Sequence, residues 1–468
     1  MAVGLGFCLG ACSLAPPVKI PDVPVAASFK EALPWTAARP ADNLPRDAWW
    51  TLFGDAELDA LQQRLIKNSP DLAAALARYQ QAKAISDQAR SGLFPTLSGS
   101  ANAQRYRQSE TKPLRVLGPL SPNEYNAYTL GLEVDYEFDL WGRIRSQVAA
   151  GSAQEQAAQA DLESARLSLQ AQLADNYLAL RGLDREAALL SDTVTAYGKA
   201  RDLTQSRHDV GIASGVDLAR AQNQLDAARS QAQQTLAQRA LLEHAIAALI
   251  GETASGFGIV PRFAEIAMPQ VPEGVPSTLL QRRPDVAAAE RRIAAANASI
   301  GVAKAAFFPA VTLTALGGYQ SRESANLIQA PNAYWAIGPS LFLTLFDAGR
   351  RQAEVARTQA VLDEVGAKYR SVALGAFQQV EDSLALLAHY HEGADAERSA
   401  LKAAQRSLEL ATIRYREGAA NYLEVVSSQT AALQSQRNAR DLDTRQLRAS
   451  VQLIRALGGG WNATAAKQ

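Results

Sequence analysis

Two hydrophobic periodicities alternate along this chain, one typical of β-strands and the other of long α-helices. Across residues 128–139, apolar and polar side chains alternate strictly, which places them on opposite faces of a strand. The apolar face holds Tyr128, Leu130, Leu132, Val134, Tyr136 and Phe138. In the second half, residues 311–315 alternate in the same way. The apolar side of a fourth strand consists of Trp335, Ile337, Leu341, Leu343 and Leu345. Strand lengths of about 10 residues suit tilted membrane-spanning strands.

The helical pattern occupies two long segments that contain no proline, residues 142–210 and 349–417. At about 1.5 Å per residue, such a helix would extend roughly 100 Å. A seven-residue repeat runs through Leu162, Leu169, Asn176, Leu183, Leu190 and Tyr197. Leu173, Leu180, Ala187 and Val194 each follow a member of that series by four residues. This spacing predicts a coiled-coil seam. Glycine-containing turns near residues 211 and 418 predict that each helix reverses into a hairpin.

The same landmarks occur twice and in the same order. Ser-Pro-Asp-Leu-Ala-Ala-Ala at 69–75 matches Arg-Pro-Asp-Val-Ala-Ala-Ala at 283–289, and a Phe-Pro pair follows each. The segment Phe-Asp-Leu-Trp-Gly-Arg at 138–143 matches Phe-Asp-Ala-Gly-Arg at 346–350. Since accidental similarity would not preserve this order, we predict an internal duplication. The fold class is therefore α+β, mainly α, and each unit contains a helix, two strands and a long helical hairpin.

These landmarks define the expected domain boundaries. The segments are 1–11 as a signal peptide, complete or truncated, 12–48 as an extended N-terminal segment, 49–250 as repeat 1, 251–276 as a linker, 277–458 as repeat 2 and 459–468 as a tail. Strands are expected at about 96–108, 125–139, 310–320 and 334–346, and the hairpin tips near 211–217 and 418–424.

The charge balance and the cysteine content narrow the classes of protein to which this chain could belong. Lys and Arg total 47 against 47 Asp and Glu, which excludes a polyphosphate-binding protein that acts through bulk charge. Both cysteines, Cys8 and Cys12, precede residue 13. Leu9-Gly10-Ala11-Cys12 resembles a bacterial lipobox, which predicts lipidation of Cys12 after removal of the leader. The alternative is an apolar N-terminus with chance cysteines, and the lack of a preceding Lys or Arg is compatible with a start codon assigned too late.

Four strands cannot close on themselves, and an open sheet edge cannot face lipid. The pattern therefore predicts oligomerisation, and three copies would supply 12 strands, which is within the range of outer-membrane barrels. The long helices would form a second ring continuous with the strands. A tube of this kind conducts a solute.

Two stretches resemble a known family. These are Trp-Trp-Thr-Leu-Phe-Gly-Asp-Ala-Glu-Leu at 49–58 and the run from Arg-Arg-Pro-Asp at 282–285 to Phe-Pro at 308–309. They are similar to the TolC-like outer-membrane factors, in the lipoprotein branch that serves resistance-nodulation-division pumps. The resemblance implies a homotrimer with a 12-stranded outer-membrane β-barrel continuous with a long periplasmic α-helical barrel. It further implies a lipid anchor, a periplasmic adaptor, an inner-membrane pump, and passive export of drugs and toxic compounds.

The resemblance also assigns roles to the hairpin tips. Asp217, Tyr415 and Glu424 match gating positions, whereas Ala420 and Ser427 replace an arginine and a second carboxylate of the family. The alternative is that these are ordinary solvated residues at helix starts. The turns expected to face the adaptor contain Val210, Gly211, Ile212, Glu417 and Gly418, although glycine there also serves to end a helix.

Glu133, Asp135 and Glu137 share the polar face of one strand. If this face lines a lumen, the pore would be acidic and would tolerate cations. The alternative is a strand extension that faces bulk water.

No catalytic constellation, nucleotide-binding loop or dinucleotide fingerprint occurs, so we expect neither an enzyme nor a cofactor. Of the four histidines, His389 and His391 are two residues apart on a predicted helix and therefore lie on different faces. No metal site or nucleic-acid partner is expected. Three rival interpretations remain: a duct for a protein or polysaccharide secretion system, a periplasmic coiled-coil scaffold, and a periplasmic enzyme.

Overall fold

The computed structural model describes residues 14–24, 28–30, 48–109, 123–269 and 282–459. Its helices are α1 (Ala56–Asn68), α2 (Pro70–Ser91), α3 (Arg143–Asp209), α4 (Gly215–Leu249), α5 (Pro284–Ala305), α6 (Arg350–Arg416) and α7 (Tyr422–Ala456). Its strands are β1 (Thr96–Arg107), β2 (Glu124–Phe138), β3 (Ala310–Ser321) and β4 (Ala333–Phe342). Within these ranges, no helix combines the length and hydropathy of a membrane span.

The element lengths confirm the duplication. Helices α2 and α5 each contain 22 residues, and β1 and β3 each contain 12. Each of the two long outgoing helices, α3 and α6, has 67 residues, and each returning helix, α4 and α7, has 35. The chain is therefore mainly helical and built from two repeats of helix, two strands and a helical hairpin, as the sequence predicted.

The four strands form one antiparallel sheet in the order β1-β2-β3-β4. The central pairing joins the two repeats, with Leu132 opposite Gly317 and Phe138 opposite Val311. Strand β4 ends at Phe342, whereas the sequence prediction continued to residue 346. The reason lies in its neighbour: β3 begins at Ala310, opposite Phe342, and the preceding Pro309 has no N–H to donate to a ladder.

The two faces of this sheet differ in chemistry. One face is apolar and largely exposed, and it includes Leu97, Leu132, Trp335, Ile337 and Leu341, whose exposed fractions range from 60% to 79%. The opposite face carries Glu133, Asp135 and Glu137 of β2 together with small polar residues such as Ser98 of β1 and Thr314 of β3. An antiparallel sheet with two chemically different faces is suited to different surroundings on its two sides.

The chain forms two compact units, each of which draws on both repeats. One comprises the described parts of Met1–Pro21, Gln80–Ala157 and Ala289–Lys368, and it contains the sheet. The other comprises the described parts of Asp22–Tyr79, Ala158–Ala288 and Tyr369–Gln468, and it contains both hairpin tips. The sequence repeats and the compact units therefore divide the chain differently.

The core of the second unit buries the first described residues of repeat 1. Trp49 and Trp50 are 2% and 1% exposed, and they pack with Leu58 of α1, Tyr177 of α3 and Val451 of α7. Ile259, in the segment predicted as a linker, belongs to the same core, so this part of the linker is packed into the fold.

The buried face of α3 is wider than the predicted seam. Leu173, Leu180 and Leu190 of the heptad series are fully buried, but Tyr177 and Leu178 between them are buried as well. The additional buried positions arise because α3 packs against α1 and the segment after α4 as well as against neighbouring long helices.

Candidate functional site

The residues predicted to form the gate, contact the adaptor or line the lumen lie at the hairpin tips and on the polar face of β2. Cys12, the predicted lipidation site, lies outside the described residues. The tips belong to one compact unit and the strand face to the other.

The first tip is an apolar, solvent-exposed turn. Gly211 adopts a positive φ of 76°, and the N–H of Ile212 donates to the carbonyl oxygen of Arg207 at 2.8 Å, which closes the end of α3. Val210 and Ile212 are 69% and 75% exposed. The glycine therefore ends the helix, and the turn presents two apolar side chains to solvent.

Asp217 forms part of the cap of α4. Its N–H donates to Ser214 Oγ at 3.1 Å, and the Ser214 hydroxyl contacts the Asp217 carboxylate at 2.8 Å. This reciprocal capping box satisfies free N–H groups at the start of the helix. A capping role therefore accounts for Asp217 in this chain, and its gating role remains a prediction.

The second tip holds its carboxylate in an ion pair. Glu424 lies three residues after the N-cap Asn421, whose side chain accepts from the Glu424 N–H at 3.2 Å. The Glu424 carboxylate contacts Arg414 Nη1 at 2.5 Å, across the turn that contains Gly418. The Glu424 carboxylate is therefore paired within its own hairpin, in a contact that stays exposed to solvent. Sequence reasoning missed Arg414, although a basic residue in the last turn of α6 was visible there.

Tyr415 connects the two hairpins. The Arg207 guanidinium of α3 lies over the Tyr415 ring, 4.7 Å from its centroid, and donates to the Tyr415 carbonyl oxygen at 3.3 Å. The ring also packs against Tyr422, with centroids 5.4 Å apart. Tyr422 is 3% exposed and shares a small core with Ala221 and Val425.

A further hydrogen bond, from Gln224 Nε2 to the Val426 carbonyl oxygen at 3.2 Å, joins α4 to α7. Burial raises the pKa of Tyr422, and the nearby Tyr415 and Asp217 add to that shift. Arg207 and Tyr422 were not among the predicted site residues, because neither follows a local pattern that identifies its partner.

Two of the three β2 carboxylates predicted to line a lumen have partners within the chain. Arg143 forms two hydrogen bonds with the Glu137 carboxylate, at 2.8 and 2.6 Å. The hydroxyl of Thr314 donates to Asp135 Oδ1 at 2.7 Å, and Glu133 is exposed. Arg143 therefore offsets the charge of Glu137, whereas the neutral Thr314 hydroxyl leaves the net charge at Asp135 unchanged.

Among the described residues, no three His, Cys, Asp or Glu side chains are grouped as a metal site requires. Tertiary structure therefore adds no candidate for a metal to the tips or to the strand face. What the geometry offers is an apolar sheet surface with a polar opposite face, and two capped helical turns tied to each other.

Comparison with known proteins places this geometry among membrane channels. The family model described as "Outer membrane efflux protein" matches residues 61–252 and 275–459. The chain is 31% identical to the outer membrane protein OprJ of Pseudomonas aeruginosa, over 98% of this chain and 95% of OprJ. It is also 31% identical to the toluene efflux pump outer membrane protein TtgF of Pseudomonas putida, over 99% of this chain and 97% of TtgF.

The fold agrees with a solved channel structure. The outer membrane channel CmeC of Campylobacter jejuni superposes with a TM-score of 0.89 at 24% identity, over 96% of each chain. At that identity, the similarity shows the fold.

Proposed function

Because the chain belongs to the outer membrane efflux protein family, we propose that three copies form the outer-membrane channel of a tripartite efflux pump. The channel is passive, and it exports small apolar or drug-like compounds that an inner-membrane pump delivers through a periplasmic adaptor. Relatives at 31% identity include a toluene efflux protein, which supports this class of cargo.

The sheet carries this proposal. Its apolar face exposes Leu97, Leu132 and Trp335 to the surroundings, as a lipid-facing surface would. Strands β1 and β4 are at its edges, and each leaves a row of backbone N–H and C=O groups to be paired. In lipid these groups must be satisfied, so β4 of one copy pairs with β1 of the next until the sheet closes. Three copies supply 12 strands to the closed sheet.

The exposed turn at Val210 and Ile212 supports docking of the adaptor at the hairpin tips. Two neighbouring apolar side chains, 69% and 75% exposed, are what a helical partner could cover. Gly418 and Glu417 form the corresponding turn of the second hairpin. We place the adaptor contact on these two turns and the lipid anchor on Cys12.

For the gate, we propose that Tyr415 and Glu424 restrict the tunnel at the tips and that Asp217 holds the start of α4 beside them. The Arg207–Tyr415 and Arg414–Glu424 contacts support a closed resting arrangement.

Glu424→Ala should increase single-channel conductance, because it removes a carboxylate and releases Arg414. Glu417→Ala, at an exposed carboxylate of the same turn, is the matched control and should leave conductance unchanged. Equal conductance in both variants would remove Glu424 from the gate.

The channel itself is tested with detergent-purified full-length protein in planar bilayers, with the particle mass measured in the same preparation. A trimer with discrete conductance steps is the expected result. A monomer without conductance would refute the channel and favour a periplasmic scaffold.

Adaptor docking is tested by Val210→Asp combined with Ile212→Asp. This variant should abolish efflux in cells that carry the adaptor and pump but should conduct normally in bilayers, because only the contact with the partner is lost. Leu241→Asp is the control, since Leu241 is also 67% exposed but lies far along α4 from the turn. Normal efflux by the Val210 and Ile212 variant would exclude the turn as the docking surface.

A further inference from the structure

We propose that Tyr334 sets the aperture of the part of the channel that the sheet encloses, because its side chain lies along the polar face of the sheet, above glycines, instead of projecting away from it. This inference rests on the proposed function, since it takes the polar face of the sheet to line the lumen. It assigns a conductance-determining role to a residue outside the tips and the acidic positions of β2.

The position of the phenol defines the direction of the side chain. Tyr334 of β4 is opposite Gly318 of β3, which in turn is opposite Gly131 of β2. A Cβ added to Gly131 would lie 2.7 Å from the Tyr334 hydroxyl oxygen. Neighbouring strands are about 4.8 Å apart, so the hydroxyl has crossed β3 toward a residue two strands away. A side chain perpendicular to the sheet could not reach that position.

The residues beneath the tyrosine leave room for it. Across the four strands, the row contains Ser100, Gly131, Gly318 and Tyr334, so the tyrosine is accompanied by three small residues. Gly131 is buried although the next residue of β2, Leu132, is 60% exposed. The other residues of β2 are half-buried or exposed, and burial of this one glycine is what an overlying ring produces. At Gly318, a Cβ would collide with the Leu130 carbonyl oxygen, so no side chain can stand beneath the ring there either.

This arrangement has a consequence for conduction. In a closed sheet of three copies, each copy contributes one such row to the lumen wall. While the ring lies flat, the row is open. If the space over Gly131 is filled, the Tyr334 hydroxyl must shift, since a Cβ at 2.7 Å from its oxygen is closer than real contacts allow. We expect the ring to move by rotating away from the sheet and into the lumen.

The experiment is a double-mutant cycle on single-channel conductance in planar bilayers, with Gly131→Ala, Tyr334→Ala and the double variant. Each is made in a Glu424→Ala background, so that the proposed restriction at the tips does not limit the current. We expect Gly131→Ala to lower conductance, and we expect Tyr334→Ala to abolish that loss in the double variant. Gly317→Ala is the matched control: its Cβ points to the apolar face, 3.6 Å from the nearest atom, and conductance should be unchanged. Particle mass identifies variants that still assemble.

A loss that is the same with and without Tyr334, or no loss in Gly131→Ala, would overturn the inference. If the Gly131→Ala single variant fails to assemble, Gly131→Ala is tested instead in a Tyr334→Phe background. Tyr334→Phe removes the hydroxyl, which is the point of closest approach to Gly131. Gly131→Ala should then assemble and conduct normally in the Tyr334→Phe background, and failure to do so would also overturn the inference. A wild-type protein without any conductance would instead refute the proposed function.

Discussion

Gly182, near the middle of α3, marks a close approach between helices. A Cβ at this position would lie 2.6 Å from Thr444 Oγ1 and 3.2 Å from Thr444 Cβ, on α7. Helix α3 nevertheless continues without interruption from Arg143 to Asp209. The glycine therefore serves packing between the two hairpins and does not break the helix.

Gly182→Ala should lower the free energy of unfolding, because the new methyl group overlaps a β-branched side chain that cannot move away freely. Overpacking of this kind costs about 1–3 kcal/mol. Gly198→Ala on the same helix is the control, since a Cβ there meets nothing within 4 Å. It should raise stability by about 0.5–1 kcal/mol through helix propensity alone. Thermal unfolding of the detergent-solubilised protein measures both, and equal stabilisation by both would contradict close packing at Gly182.

The raised pKa of the buried Tyr197 predicts how the free energy of unfolding changes at alkaline pH. Burial raises its pKa to about 12, and the neighbouring Tyr422 adds to the shift. The unfolded chain ionises tyrosine near pH 10. The folded state thus keeps a proton that the unfolded state loses, so stability is complete below about pH 10 and falls as pH rises toward 12.

An ultraviolet titration of tyrosinate, with unfolding measured at each pH, tests this. Tyr197→Phe should reduce the alkaline loss of stability and remove one late-ionising group. An identical profile in Tyr197→Phe and the wild type would refute the assignment.

At the level of elements, a buried ion-pair network joins α1, α3, α4 and the segment that follows α4. Arg181 of α3 donates to Asp184 at 2.7 Å and to the Val260 carbonyl oxygen at 2.8 Å, and it also pairs with Glu57 of α1. Asp184, whose side chain is fully buried, accepts from Arg239 Nε of α4 at 2.6 Å. The N–H of Arg262 donates to the same carboxylate at 3.1 Å. One carboxylate thus connects three parts of the fold.

Asp184→Asn should destabilise this unit strongly, since it leaves Arg181 and Arg239 without their shared negative partner. Removing one member of a buried pair costs about 3–5 kcal/mol. Asp226→Asn is the control, because its pair with Arg229 is exposed and such pairs contribute about 0–1 kcal/mol. Chemical denaturation distinguishes the two, and a small effect at Asp184 would show that the network is dispensable.

For the whole molecule, each compact unit depends on both repeats. Strand β2 of the first repeat pairs with β3 of the second, and Trp50 shares a core with Val451. Neither repeat therefore contains a complete hydrophobic core or a complete sheet. The duplication in the sequence produced two halves that fold together rather than two independent domains.

Repeat 1 expressed together with the packed part of the linker, as residues 48–265, should aggregate, because the apolar residues of its strands and core lack their partners from repeat 2. Co-expression with residues 282–459 should give a complex that detergent extracts and that does not aggregate, because the surfaces of repeat 2 that cover these apolar residues are then present. Size-exclusion chromatography and circular dichroism measure the outcome. A cooperatively folded, monodisperse repeat 1 would contradict this interdependence.

The channel fold and the duplication could be predicted from the sequence because they are encoded in local, periodic patterns. The period of two in 128–139 indicates a strand with two different faces, and heptads in 162–197 indicate a long helix. Repeated landmarks such as Phe-Pro and Gly-Arg then aligned the two halves. The turns at Gly211 and Gly418 followed from the same local chemistry, since both glycines end helices with a positive φ.

Side-chain partners, by contrast, were decided only in the tertiary structure, because they depend on which elements pack together. No spacing rule pairs Arg414 with Glu424 or places Arg207 over Tyr415. Nor could the alternation in β4 reveal that Tyr334 reaches Gly131, two strands away. Periodicity determines the face on which a residue lies. The register between strands and the crossing of helices determine what that residue contacts.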